Sequence, residues 1–310
     1  MTQIEITFLG TTAGVPTRHR NHASLYVTYR SQEEYCCLWD CGEGTQRQIF
    51  SSDLNFMRIN DIFITHWHAD HFAGILGLLE TMSLEGREAP LAIYGPEAVK
   101  FVDVLLSLGY STKQFQVIAK NVEFEGSTIE KIFEADEFYI AAIPVKHGIP
   151  AVAYAFVEED RVKIDKEKAK KHGLPAKGPI FKRIKDVGSA EYKGNTIRLE
   201  DISLVEKGKK VVYSGDTMPC KNIIKLAAGA DLLIHDSTRF EGSDDTKKGA
   251  KDYRHTTFED VLKIAEEAKV KELILTHISR RYQDLQELKE IISKYPNVKL
   301  AKDFMKVVLE

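Results

Sequence analysis

With 310 residues, 43% of them hydrophobic, the chain can bury an adequate core either as one large domain or as two small ones. Its four cysteines, Cys36, Cys37, Cys41 and Cys220, lack the pairwise spacing of a zinc knuckle, which argues against both a disulfide scaffold and a cysteine metal site. The opening stretch has no basic region followed by a long apolar one, and no run approaches the roughly 18 uncharged residues of a membrane span, so a soluble cytoplasmic protein is expected. The net charge of −3 is unevenly spread. Arg161 to Lys185 holds ten Lys or Arg against Asp165 and Glu167, a local +8 that leaves −11 on the remainder.

In chain order, Ile4 to Leu9 reads as an opening strand that runs into a turn-rich loop, Gly10 to Pro16, followed by Arg18, His19 and Arg20. Small residues there let backbone amides approach a ligand such as a phosphate. Two strands follow, Ser24 to Tyr29 and Tyr35 to Trp39, the second ending at Asp40. That aspartate reads equally well as the partner of a ligating histidine or as a turn or helix cap.

Asp61 to His71 is the most informative stretch. Ile62 to Thr65 suits a buried strand and Phe72 to Leu79 a helix, so His66, His68, Asp70 and His71 are expected in the loop between them. Histidines at i and i+2 cannot share a helix face, whereas a loop can converge them on one ion. Asp70 and His71 then aim elsewhere, which suggests a second ion. Without ions, so many polar groups at a buried strand end would be costly.

Beyond the cluster the pattern predicts a strand at Leu91 to Tyr94 and a helix opened by Gly95-Pro96, with Pro96 near its first position and Gly109 past its end. Strands are expected at Gln116 to Ile118, Phe138 to Val145 and Val152 to Val157. From Glu158 to about Gly194 the pattern breaks into a lysine-rich segment punctuated by Gly173, Pro175, Gly178, Pro179 and Gly188 and poor in core residues, read as an insertion projecting from the domain. Alternation resumes with a strand at Val205 to Gly215, a helix at Lys221 to Ala228 and a strand at Asp231 to His235. A helix at Thr256 to Ala268, a strand at Glu272 to His277 and a helix from about Asp284 to Tyr295 complete the series. Thr256 and Glu259 have capping-box spacing. Strands alternating with helices imply a mixed α/β sandwich.

His147, Asp216 and His277 each follow the end of an apolar strand, where ligands collect in open α/β sheets. With the first cluster they make five histidines and two aspartates, which suits two borderline ions such as Zn²⁺, each with three private ligands and both sharing Asp216 and a water. His19, His22 and His172 read as surface residues and His235 as structural. His255, in Tyr253-Arg254-His255-Thr256-Thr257 at a helix start, is a candidate for proton transfer.

His66-Trp67-His68-Ala69-Asp70-His71 resembles the His-x-His-x-Asp-His signature of the metallo-β-lactamase fold, and His147, Asp216 and His277 match its remaining metal motifs. Phe8 to Thr11 with Pro16 to Arg20, Asp40 to Gln46, Ser214 to Thr217 and Leu275 to Tyr282 are similar to ribonuclease Z, the endonuclease family that removes 3′ trailers from precursor tRNA. Gly173 to Pro179 resembles the core of that family's flexible tRNA-gripping arm. The local +8 is an independent reason to expect phosphate contacts there.

The resemblance implies an αβ/βα four-layer sandwich, one metallo-β-lactamase-fold domain over residues 1–310, with 158–194 inserted as a flexible basic arm. It implies two Zn²⁺ per subunit: His66, His68 and His147 on one, Asp70, His71 and His277 on the other, with Asp216 bridging. Asp70 would hold or accept a proton from the nucleophile. His255, oriented by Asp236, would serve the leaving 3′ oxygen. Arg18 and Arg20 would meet the acceptor stem, and Lys177, Gly178, Pro179, Lys182 and Arg183 the tRNA body.

Products would be a tRNA 3′ hydroxyl and a trailer 5′ phosphate. The implied partners are precursor tRNA and a second copy of the chain in a homodimer whose arm acts in trans, with no DNA and no membrane. Two departures stand out: His235-Asp236-Ser237-Thr238 where the family often has His-Glu-Ala-Thr, and Thr256 where serine is common after the histidine. The alternatives are another dinuclear-zinc phosphodiesterase or hydrolase of the same fold, or a non-catalytic RNA-binding module.

Overall fold

The computed structural model describes residues 2–108, 114–238, 255–282 and 285–310. The chain divides into two compact units: residues 1–157 with 210–310, and residues 158–209.

The larger unit holds two seven-stranded sheets. In the first, Lys306–Leu309, Gln3–Gly10, Ser24–Arg30 and Glu34–Trp39 run antiparallel to one another, and Ile59–Phe63, Leu91–Gly95 and Val117–Asn121 continue in parallel from Glu34–Trp39. The second orders Val298–Leu300, Glu272–Thr276, Leu232–Asp236 and Lys210–Tyr213 as a parallel block. Val152–Glu158, Phe138–Pro144 and Glu130–Glu134 follow in that sheet, Val152–Glu158 antiparallel to Lys210–Tyr213.

Three cores follow from the alternation of side chains across each pleat. One cluster, including Phe8, Trp39, Phe63, Tyr154, Tyr213 and Ile234, joins the facing sides of the sheets. The outer face of the first sheet packs aliphatics such as Leu38 and Ile62 against Ile75, Leu79 and Val102 of the helices Ile75–Leu84 and Ala98–Ser107. The outer face of the second packs Val212, Leu233 and Leu275 against Ile223, Val261 and Leu288 of Lys221–Ala227, Phe258–Glu267 and Gln286–Ile292. The result is the expected helix, sheet, sheet, helix layering. Among the described residues no helix is long and apolar enough to cross a membrane.

Several boundaries differ from the sequence reading. The stretch Val205 to Gly215 is two strands rather than one: Ser203–Glu206 pairs with Arg161–Ile164 in the smaller unit, and Lys210–Tyr213 belongs to the large sheet. Gly208 separates them, where a Cβ would stand 1.9 Å from the Glu158 carbonyl oxygen and where the amide donates to Asp160. The smaller compact unit therefore reaches 209, beyond the bound near 194 expected for the insertion.

The helix after Gly95 starts at Ala98 with Glu97 as its cap, so Pro96 precedes the cap instead of occupying the first turn. The cap before Phe258 is Thr257, which accepts from the Asp260 amide. Thr256 is buried, and its hydroxyl donates to the Thr217 carbonyl at 2.5 Å. Strands Glu130–Glu134, Val298–Leu300 and Lys306–Leu309 and the helix Thr45–Phe50 are additions to the elements expected from the sequence. Gly109, Asp284, Tyr253 and Arg254 lie outside the described residues.

The smaller unit is folded, with two short two-stranded sheets, Arg161–Ile164 with Ser203–Glu206 and Ser189–Tyr192 with Asn195–Arg198. Although the segment reads as poor in core residues, Ala169, Leu174, Ile184, Ala190, Ile197 and Ile202 gather into a small core of its own. The helix Pro179–Val187 turns Ile184 inward and leaves Lys182, Arg183 and Lys185 exposed.

Candidate metal centre

The strand Ile59–Phe63 delivers His66, and the backbone then enters a short helix, Ala69–Phe72, capped by His68. Asp70 and His71 thus stand in a first helical turn and not in a plain loop, which separates their directions from those of His66 and His68. His66 Nε2 and His147 Nε2 lie 3.0 and 3.1 Å from His68 Nδ1. His277 Nε2 lies 3.3 Å from both His71 Nε2 and Asp70 Oδ2. Asp216 sits between the trios, with Oδ2 3.8 Å from His66 Nε2 and Oδ1 3.5 Å from His71 Nε2.

The seven residues come together from both sheets. Asp40 and His277 both adopt left-handed backbone conformations, with φ of 57° for each, a strain that persists only where the surroundings impose it. Gly215, with φ 55°, lets the backbone turn over Thr65, whose atoms would lie 2.7 to 2.9 Å from an added Cβ.

A tetrahedral ion with nitrogen ligands at about 2.0 to 2.1 Å requires ligand atoms about 3.3 Å apart. The observed separations within the trios fit that requirement, and a donor set rich in imidazole with carboxylates suits a borderline divalent ion. The Asp216 Oδ1 atom is buried and has no hydrogen-bond partner among the described residues, as a bridging ligand to two ions would be.

The charges agree. Burial, then the charge of His71, pushes His66 well below the ordinary histidine range. Burial also opposes a charge on His71, but Asp216 and Asp40 outweigh it and hold that imidazole well above the usual value. Against burial, Asp216 leads the groups that raise His277 to about 10. The buried carboxylates demand positive charge at the site, which a divalent ion supplies more effectively than protons on the ligands.

Asp40, evenly balanced between two readings in the sequence, is fully buried with Oδ2 2.7 Å from His71 Nδ1. Its carboxylate holds the His71 imidazole in place rather than capping a helix, as a partner of a ligating histidine would. Beside the trios, His255 Nδ1 lies 2.8 Å from Asp236 Oδ2, so the shorter aspartate still reaches its histidine. His255 is 22% exposed at its side chain, and against the effect of burial Asp236 raises its proton affinity. Asp70 Oδ2 accepts the Gly14 amide at 2.8 Å, which ties the loop before Arg18 to the site.

Two expectations change, and three residues join the site. Arg20 is 8% exposed, and its guanidinium donates to the carbonyls of Ile278, Ser279 and Tyr282, so it braces the loop behind His277 instead of reaching RNA. His22 is buried, not on the surface. Thr65, Thr238 and Tyr213, none of them singled out in the sequence, have hydroxyls within hydrogen-bonding distance of site residues. Arg18, Lys177, Gly178, Pro179, Lys182 and Arg183 are exposed, and His235 is fully buried.

A family model described as anti-Pycsar protein Apyc1 matches residues 4–170, and one described as a beta-lactamase superfamily domain matches 191–278. The metallo-beta-lactamase fold protein YhfI of Bacillus subtilis superposes with a TM-score of 0.64 at 19% identity over all of both chains. Layers, ligand cluster and these matches define a protein of the metallo-β-lactamase fold.

Ribonuclease Z of Methanococcus maripaludis strain C6 is 39% identical over 99% of this chain and 100% of its own length. That of Methanosarcina acetivorans is 36% identical over 98% and 97%. Human tRNase Z, short form, superposes with a TM-score of 0.65 at 29% identity over 98% of each chain. The chain belongs to the ribonuclease Z family and is a hydrolase.

Proposed function

We propose that the chain removes 3′ trailers from precursor tRNA by hydrolysing one phosphodiester, leaving a 3′ hydroxyl on the tRNA and a 5′ phosphate on the trailer. The observation that carries this reading is the convergence of two ligand trios on Asp216 with the His255–Asp236 pair beside them. His66, His68 and His147 would hold one Zn²⁺ and Asp70, His71 and His277 the other, with Asp216 shared. Two such ions supply charge at the scissile phosphate and acidify a water.

The chain's own groups do the rest. Asp70, its Oδ2 anchored by the Gly14 amide, holds or accepts the nucleophile's proton. His255 carries a proton toward the leaving 3′ oxygen, and Asp236 keeps its Nδ1 engaged so that the other nitrogen is free to act. Arg18 faces the acceptor stem.

Residues 158–209 serve as the arm. The ion pairs of Lys163 with Glu206 and Lys207 with Asp160 use up cations near its root. Lys177, Lys182, Arg183 and Lys185 enter no ion pair among the described residues and are available to phosphates, with Gly178 and Pro179 shaping the turn between them. The protein would act in the cytoplasm as a homodimer in which each arm serves the partner's site.

The two matching family models, an anti-Pycsar protein over residues 4–170 and a beta-lactamase superfamily domain over 191–278, name no tRNA, so a second reading is a hydrolase of a smaller phosphodiester. Such an enzyme would not need the arm. The test is cleavage of a labelled precursor tRNA by the intact protein and by a variant with 159–209 replaced by a short linker, both checked for zinc. A single cut at the base of the acceptor stem, sharply weakened without the arm, supports the proposal. Hydrolysis of a small phosphodiester by both forms, with no cut in the tRNA, supports the second reading.

A further inference from the structure

Tyr213 ends the strand Lys210–Tyr213, three positions before Asp216, and is 2% exposed. Its hydroxyl donates at 2.9 Å to Asp40 Oδ2, the same oxygen that faces His71 Nδ1 at 2.7 Å. Asp40 comes from the first sheet and Tyr213 from the second, so this bond ties the two halves of the ligand cluster together.

The other partner of Asp40 is Thr65. Its amide donates to Oδ1 at 2.8 Å, and its hydroxyl lies 3.0 and 2.9 Å from Oδ1 and Oδ2. A hydroxyl has one proton to give. With that proton on Asp40, the Thr65 oxygen is left to accept from His66 Nδ1, which lies 3.1 Å away. The consequence is a fixed tautomer at two positions. His66 and His71 both keep Nδ1–H engaged and present an Nε2 lone pair, one to each trio.

We propose that Tyr213, Asp40 and Thr65 form one positioning hub that sets an imidazole in each trio, so that both metal positions are tuned through a single carboxylate. Tyr213 and Thr65 are positioning residues that touch no substrate. This inference rests on the metal-centre reading of the seven ligands. The bland alternative is a buried tyrosine that merely satisfies its hydroxyl. The Tyr213 ring stacks on Trp39 at 5.9 Å and 5° between planes, so phenylalanine keeps the packing and removes only the donor.

The experiment is stepwise zinc binding measured against a chromophoric chelator, on the full chain, for the wild type, Tyr213→Phe, Thr65→Val and Thr65→Ser. Outer-sphere partners of metal ligands typically change affinity about 10- to 100-fold. Tyr213→Phe is expected to weaken both binding steps by about tenfold. Thr65→Val should weaken the two steps unequally, because it also strips His66 of its acceptor, and Thr65→Ser should restore both.

Both affinities of a folded Tyr213→Phe within about twofold of the wild type, well short of the usual outer-sphere effect, would overturn the hub. So would Thr65→Val and Thr65→Ser behaving alike, which carries the test even where Tyr213→Phe fails to fold. A folded wild type that takes up no divalent ion overturns the metal centre itself and the hub with it, an outcome visible before any variant is made.

Discussion

Lys182, Arg183 and Lys185 offer the sharpest test of the arm. At 100° per residue they lie on the side of the helix Pro179–Val187 away from the buried Ile184, and all three are exposed. Each phosphate contact contributes about 0.9 to the slope of log affinity against log salt on a duplex. Replacing all three with alanine should flatten that slope by up to about 2.7. Between 50 and 200 mM salt, the variant's affinity loss should then be smaller than the wild type's by up to about 40-fold.

Filter binding or fluorescence anisotropy with a precursor tRNA, at four or five salt concentrations, measures both slopes. Lys163→Ala is the internal control, because its ammonium already lies 2.5 Å from Glu206 and has little charge to give to RNA. Coincident slopes for the triple variant and the wild type would refute the assignment of these cations to phosphates. A steeper change for Lys163→Ala than for any one of the three would refute the distinction between paired and free cations.

Four further outcomes are expected. Gly215→Ala forces a side chain into a left-handed conformation and sets its Cβ 2.7 Å from Thr65, so it should cost about 3 kcal/mol in denaturant unfolding. A loss under about 1 kcal/mol would show that this turn relaxes freely. His255→Ala should lower kcat by about 10²- to 10⁴-fold with metal content unchanged by atomic absorption; an unchanged rate removes His255 from proton transfer. Arg20→Ala should lose about 2 to 3 kcal/mol of stability, because the loop behind His277 loses charged donors to three carbonyls. Arg18→Ala should leave stability within about 0.5 kcal/mol and weaken tRNA binding instead; equal stability of the two variants contradicts the bracing role of Arg20.

The clearest features in the sequence are those written within a few residues. An apolar strand that breaks into His66, His68, Asp70 and His71, and the same break before His147, Asp216 and His277, are local changes of pattern that the folded chain gathers into one cluster. The cationic run from Arg161 to Lys185 is equally local. What pairing across the chain decides was not legible. Asp40 could have been a cap until His71, 31 positions on, was seen beside its carboxylate, and Tyr213 joins the same oxygen from 173 positions away.

Arg18 and Arg20 are indistinguishable as letters, yet one is exposed and the other is spent on carbonyls near His277. Likewise Val205 to Gly215 reads as one strand because its alternation is continuous, while its two halves pair with different partners on either side of Gly208. Periodicity and charge are properties of neighbours along the chain, so the sequence alone determined most of the central strands and the strand ends that carry the histidines and aspartates of the site. Hydrogen-bond partners, burial and tautomers depend on which strand ends are packed together, and only the two-sheet tertiary structure decided those.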